Sequence, residues 1–363
     1  MVGSDGVSTK GTLLVTGARG TVGNYVVALA EAAGWNVIAS DISDRGVRVP
    51  TRGEVRVADL RHEESLARLV RGCDAIVHTA AELDVTKSAA QLSAINTEAV
   101  ANLYEHASAA GVKRFVHLST AALYERREGP IDEETPLAPE GPYGLSKLGA
   151  EVYLRGLDPD RTPQWTVLRA APIYGRRGRH FAASLLAVGP IIRLTTPVVP
   201  RPAGGPEGTM VHAEDVARAA LFVLEREDTT GRAFDVSDGD VLGLGERIGL
   251  TFDLYGLRSI STGKTPEAFF ELLSRLLRTR NLAGGLDAAA ALAWRTVVAR
   301  HRLKQALRPR FDREVLDLVG RPLIVRAEAL RALGWEPRFP RFEAGFAEVL
   351  RWYQAERWVP RYG

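Results

Sequence analysis

The 363-residue chain is 45% hydrophobic and 25% charged, with a formal net charge of +3. That composition suits an ordinary globular protein of about two domains, or one α/β domain with an appended lobe, and so small a charge argues against a nucleic-acid partner. The single cysteine, Cys73, excludes an intrachain disulfide and fits a reducing, cytoplasmic setting. The polar first ten residues lack the apolar core of a signal peptide, and no uninterrupted apolar run reaches the ~18–20 residues of a membrane span. The seven histidines show no pair at metal-ligand spacing, so no metal is expected.

The chain is organised around Leu13-Leu14-Val15-Thr16-Gly17-Ala18-Arg19-Gly20-Thr21-Val22-Gly23. A short apolar strand stops at Thr16, glycines follow at a spacing of three, and a helix-like stretch runs from Asn24 to Ala33. In such a strand–turn–helix unit Gly17 permits the sharp turn, Gly20 lets a pyrophosphate approach the backbone, and Gly23 lets helix and strand pack closely. The next apolar run, Asn36 to Ser40, ends at Asp41, roughly twenty residues on, where a dinucleotide fold holds the adenosine ribose hydroxyls. A carboxylate there repels a 2′-phosphate, which favours NAD over NADP, with nearby Arg45 keeping NADP open.

Further strands are expected at Glu54 to Ala58, Asp74 to Thr79 and Arg114 to Leu118, alternating with helices at Ser65 to Val70 and Asn96 to Ala110. Such βα alternation implies a doubly wound, Rossmann-type parallel sheet with helices on both faces. His78-Thr79-Ala80-Ala81 closes the fourth strand, and its small residues suit a ligand lying outside the strand ends. Ser119-Thr120 closes the fifth. Tyr143 and Lys147, four apart, lie on one helical face, where an ammonium favours the phenolate and a strand-end hydroxyl could hold a substrate oxygen.

With these motifs in view, the chain resembles an extended short-chain dehydrogenase/reductase. The nearest group is the NAD-dependent epimerase/dehydratase and 3β-hydroxysteroid dehydrogenase-like one, and the likeness spans roughly residues 11 to 240. The glycine turn resembles that family's T-G-x-x-G-x-x-G, Asp59-Leu60 its adenine-contacting pair, His78 to Ala81 its H-x-A-A, and Tyr143 to Lys147 its Y-x-x-x-K. Leu168 to Gly175 resembles the strand beside the nicotinamide, and Val211 to Ala217 the V-H-V-D-D-V-A stretch. The resemblance implies catalysis by Thr120 (with Ser119 as second choice), Tyr143 and Lys147. It implies cofactor contacts from Gly17, Arg19, Gly20, Thr21, Val22, Gly23, Asp41, Asp59, Leu60, Thr79, Ala80, Ala81, Asn96, Ser119, Tyr143, Lys147, Pro172 and Ile173. It also implies a Rossmann domain over 11–175 and a smaller, mainly helical substrate lobe over 176–363, with about 208–240 returning to the body, and a homodimer.

Two departures bear on substrate. Nucleotide-sugar enzymes of the family carry an arginine before the Val211 stretch to hold a diphosphate, whereas Pro202 to Met210 contains none. Dehydratases carry Asp-Glu after the catalytic threonine, where Ala121-Ala122 stands here. Three readings follow: an NAD(P)-dependent alcohol dehydrogenase or ketone reductase for an apolar small molecule, a nucleotide-sugar epimerase or dehydratase that recycles bound NAD, and a non-catalytic dinucleotide-binding protein. The apolar stretches Ala182 to Ile192, Ala268 to Leu277 and Leu286 to Val298 suit an inter-lobe core or dimer interface, or a lid resting on a membrane surface beside the basic run Arg295 to Arg310. Arg176, Arg177, Arg179 and His180 form a basic loop, either solvated or gripping an anionic substrate group.

Overall fold

The computed structural model describes residues 9–43, 49, 51–84, 87–179, 181–266, 272, 280–307, 309 and 321–362. Arg45, His180, Arg308, Arg310 and all but Leu272 of the 268–277 stretch lie outside the described residues. Seven strands form the central sheet: β1 (Thr12–Thr16), β2 (Asn36–Asp41), β3 (Glu54–Val57), β4 (Ala75–His78), β5 (Arg114–Thr120), β6 (Gln164–Ala170) and β7 (Arg232–Val236). All pairings are parallel, in the order β7-β6-β5-β4-β1-β2-β3. The chain winds outward in opposite directions from β1 and β4, so the crevice between their carboxyl ends is the topological switch point where ligands bind in open α/β sheets.

Burial follows the alternation of the strands. On one face Leu13, Val15, Val77, Val116, Leu168 and Phe234 pack against α1 (Gly23–Ala32) and α7 (Ala213–Leu224). On the other, Leu14, Ile76, Phe115 and Val167 meet α2 (Glu63–Leu69), α4 (Ala99–Ala109) and α5 (Pro142–Arg155). Both faces are therefore apolar, as a sheet covered on two sides requires. The expected helix over 96–110 begins earlier: α3 (Ala89–Ser93) runs through a π turn, Ala94–Glu98, into α4. Ser88 caps α3 with a reciprocal capping box to Gln91, a signal that lies outside the apolar periodicity.

A third apolar cluster, with Tyr174, Leu186, Phe252, Trp294, Phe346 and Tyr353, joins α6 (Phe181–Ile192), α8 (Leu244–Leu254), α9 (Arg280–His301) and α11 (Phe342–Ala355). The apolar faces of 182–192 and 286–298 thus lie largely in a core, although Leu286 and Leu292 remain exposed. No helix among the described residues is long and apolar enough to cross a membrane. The return to the Rossmann body extends beyond 208–240, because Leu323, Val325, Leu330 and Trp335, flanking and within α10 (Glu328–Ala332), also pack into the first core.

Candidate active site

The glycine turn sits at the switch point, and its three glycines have different reasons. Gly17 has φ +66°, and a Cβ there would lie 2.7 Å from the backbone nitrogen of Ala80. A Cβ on Gly23 would lie 2.2 Å from the carbonyl oxygen of Gly17. At Gly20 the nearest atom is the Gly17 oxygen at 3.1 Å, a tight contact but far less severe than at Gly17 or Gly23, so close approach by a ligand adds a reason for glycine there. Asn24 clamps the turn, its Nδ2 donating to the carbonyls of Gly20 (2.7 Å) and Thr21 (2.8 Å). No side chain caps α1 at Val22 and no acid lies in its first turn, so the positive end of the helix is left for an external anion. These are the features a dinucleotide pyrophosphate requires.

Of the other residues expected to contact the cofactor, Asp41, Thr79 and Ala80 lie against this turn. Asp41 accepts from the backbone N–H of Arg19 (3.0 Å) and of Ile42 (2.9 Å), which fixes its carboxylate beside the glycines. Asp59 is paired with Arg61 at 2.6 Å, which holds its carboxyl below the usual range, and Leu60 is buried in the second core. The Thr79 hydroxyl donates to the Thr16 carbonyl (2.7 Å), Ala80 abuts Gly17, and Ala81 is exposed. Pro172 accepts from the Val211 N–H (3.1 Å), which with Ile173 ties that strand end to the next segment. Asn96, in the π turn, is a brace: its amide bonds both backbone groups of Glu82 (2.8 and 2.9 Å) and donates to the Ser146 hydroxyl (3.0 Å). All three of those bonds are internal and brace the segment before α4 against α5.

Strand alternation separates the two hydroxyls at the end of β5. Ser119 is buried and donates to Glu151 Oε1 at 2.6 Å, on the α5 side. Thr120 is half-buried and its oxygen accepts from the Ala122 N–H (3.2 Å), leaving its proton to donate outward. The Ser119 hydroxyl is therefore engaged within the fold, whereas that of Thr120 keeps a proton to give. Tyr143 lies on the first turn of α5, next to this corner, because a Cβ on Gly144 would come within 3.2 Å of the Ala122 carbonyl. One turn on, Lys147 is fully buried, donating to the Leu118 carbonyl at 2.6 Å and lying 3.2 Å from His117 Nε2. Burial brings its ammonium down to about 7, only partly opposed by Glu151.

Behind the site, Arg169 holds Glu151 through Nη2 at 2.7 Å and donates to the Tyr124 hydroxyl at 2.8 Å, which in turn donates to Asp235 at 2.9 Å. Burial and Glu133 raise the Asp235 carboxyl to about 8. This network was not foreseen; its signal was a charged residue recurring one turn after Lys147 and another within an apolar strand.

On the substrate side, Arg176 pairs with Glu348 of α11, and the Tyr353 hydroxyl donates to the carbonyls of Gly178 (2.6 Å) and Gly175 (3.2 Å). Arg179 lies over the Trp358 ring. The basic loop is thus clasped by the C-terminal helix, and Arg176, though its side chain is partly exposed, is ion-paired. Farther along the chain, Pro206 to Met210, Leu244, Arg247, Arg321 and Leu323 line a cavity. Arg247 is buried, donates to the Gly208 carbonyl, and has an Nη1 with no hydrogen-bond partner. A guanidinium from α8 therefore reaches the segment that carries no arginine of its own.

The chain belongs to the NAD dependent epimerase/dehydratase family, which matches residues 13–237. It is 32% identical over 229 residues to a 3-diazoavenalumate denitrifying reductase from a Streptomyces species, covering 60% of this chain and 73% of the reductase. It is 34% identical over 156 residues to a UDP-glucose 4-epimerase of Streptomyces lividans, 40% of this chain and about half (47%) of that relative. Among solved structures, UDP-glucose 4-epimerase from Thermotoga maritima with UDP-glucose superposes with a TM-score of 0.70 at 22% identity, covering 95% of this chain and 99% of that one. A double mutant of dTDP-glucose 4,6-dehydratase from Streptomyces venezuelae with NAD bound gives 0.69 at 25% identity, covering 96% and 98%. The family is NAD dependent, and its relatives include oxidoreductases, epimerases and dehydratases; the finer 3β-hydroxysteroid-like assignment has no counterpart among these matches.

Proposed function

We propose that the chain is an NAD-dependent enzyme that interconverts a secondary alcohol and a ketone, with residues 11–175 holding the cofactor and 176–363 forming most of the substrate side. The observation that carries this is the corner where Thr120, with an outward hydroxyl, adjoins the first turn of α5 bearing Tyr143, backed by buried Lys147. Gly17 to Gly23 hold the pyrophosphate, and Asp41 takes the ribose hydroxyls and disfavours a 2′-phosphate. When bound, the nicotinamide supplies or accepts hydride. Thr120 donates to the substrate oxygen, Tyr143 gives or takes the proton at that oxygen, and Lys147 favours the phenolate and holds the nicotinamide ribose.

The apolar-substrate reading rests on Pro202 to Met210, which contains no arginine. A second reading, a nucleotide-sugar epimerase, is favoured by Arg247 in the cavity lining, whose Nη1 has no hydrogen-bond partner and could take a diphosphate oxygen, whereas Arg321 is paired with Glu140. The test is to denature the purified protein, count released NAD(H) per chain, and assay ketone and UDP-sugar panels with the wild type and Arg247→Leu. Empty protein that oxidises NADH with apolar ketones, equally in Arg247→Leu, supports the first reading. Near-stoichiometric NAD with UDP-sugar interconversion and no net NADH change, lost by tenfold or more (roughly 1.5–3 kcal/mol) in Arg247→Leu, overturns it for the second. No turnover with either panel and no bound or exchangeable NAD(H) would contradict both.

A further inference from the structure

Three neighbouring strands place a polar residue on one rung, at the carboxyl edge of the sheet face that α5 covers. Thr16 of β1 is level with His78 of β4, and His78 with His117 of β5. All three are buried, above a layer made by Leu14, Ile76 and Phe115. They are also connected. Thr16 Oγ1 lies 2.8 Å from His78 Nδ1. The two imidazoles stack with centroids 5.4 Å apart and planes at 15°. His117 Nε2 then lies 3.2 Å from Lys147 Nζ. Apolar residues would fill this layer at no desolvation cost, so polar side chains on three successive strands need a reason.

Lys147 supplies one. Its ammonium has three donors and no hydrogen-bonded carboxylate. The Leu118 carbonyl takes one, and His117 is the acceptor for a second. Burial and the adjacent Lys147 keep His117 neutral; facing an ammonium, its Nε2 serves as the acceptor, which leaves the Nδ1 proton buried without a hydrogen-bond partner. His78, also kept neutral by burial, fixes the plane of the His117 ring by stacking, and Thr16 anchors His78. With two donors held by β5, the third has a fixed direction. The charged or titratable groups facing Lys147 are His78 from β4, His117 from β5 and Glu151 from α5, with Tyr143 one turn earlier on that helix; Arg169 of β6 is engaged by Glu151, and the turn before α4 offers only the neutral amide of Asn96.

We propose that His117, seated by His78 and Thr16, is a positioning residue that keeps Lys147 protonated and aimed at the bound dinucleotide. A neutral acceptor stabilises the ammonium without cancelling its charge, which a carboxylate in the same place would do. The inference rests on the reading of Lys147 as a cofactor-holding group.

The test is NADH binding, followed by fluorescence between pH 6 and 9, in the wild type, His117→Phe, His117→Gln and Lys147→Met. A lost hydrogen bond to a charged group corresponds to roughly a tenfold effect. His117→Phe, which keeps a ring for stacking, is expected to bind like the wild type at pH 6 and about tenfold more weakly at pH 8. His117→Gln, whose side-chain amide can reach the position of Nε2, should restore most of that loss. Lys147→Met should be weak at every pH. Loss in Lys147→Met with a wild-type pH dependence in His117→Phe would overturn the inference alone. Unchanged affinity in Lys147→Met would remove the cofactor role and the inference with it. Should His117→Phe not fold, the ¹⁵N ring signals of the wild type decide: a bare Nε2 on His117 at neutral pH is expected, and a protonated Nε2 would overturn the proposal.

Discussion

The two sides of the crevice are built differently. On the cofactor side, the decisive groups lie close together in the chain, and most act through the backbone: the turn at Gly17, the close approach at Gly23, the uncapped start of α1, the Asp41 carboxylate tied to the Arg19 N–H. On the substrate side, the groups converge from afar. Glu348 meets Arg176, Tyr353 meets Gly178, and Arg247 meets Gly208. A ligand held by backbone geometry leaves a spacing in the sequence, whereas one held by side chains from separate helices leaves none until the chain is folded.

The sharpest break in this comparison lies between them, at Tyr143. Tyr143→Phe should lower turnover by roughly 10²–10⁴-fold, the range for removing a general acid–base, while NADH affinity stays near that of the wild type. Parallel loss of binding and turnover would make Tyr143 a cofactor ligand instead. Lys147 follows. Its folded-state pKa, about 7, lies below the unfolded value near 10.5. Between those values the unfolded chain binds more protons, so stability from this residue rises with pH and is least below pH 7. The stability difference between Lys147→Met and the wild type should therefore move in the variant's favour, by roughly 3–5 kcal/mol, as pH falls from about 10.5 to 7. A pH-independent difference in urea melts would contradict the burial of a titrating ammonium.

The glycines sharpen the contrast within the cofactor side. Gly23→Ala sets a methyl 2.2 Å from the Gly17 carbonyl oxygen and should cost at least about 3 kcal/mol of stability, read in the same melts. The smallest effect is expected at Asp41, where Asp41→Ala should narrow the preference for NADH over NADPH several-fold. Unchanged selectivity would assign ribose reading to another residue.

The sheet was legible because strand and helix periods alternate cleanly from Leu13 to Val116, and Tyr143 and Lys147 because a four-residue spacing fixes a shared helical face. Ser119 and Thr120 could be ranked only by motif until strand alternation set one hydroxyl on Glu151. Asn96 entered through the resemblance alone, and its bonds to the Glu82 backbone could not be read from the sequence because they join segments fourteen residues apart. His117 was missed although a clue was present: it and His78 each stand on an apolar strand just before polar or small residues, and parallel register puts them side by side. Arg247 could not be found, because nothing local to α8 points to the 206–210 segment.

The central claim is that a dinucleotide pyrophosphate rests on the backbone at Gly20. The most direct measurement is an NADH titration of Gly20→Ala beside its melting temperature. Because a Cβ there meets the Gly17 oxygen at 3.1 Å, which must give by a small shift, the expected result is a melting temperature lowered far less than in Gly23→Ala, with NADH affinity reduced at least about tenfold. Wild-type affinity in a folded Gly20→Ala protein would contradict the account.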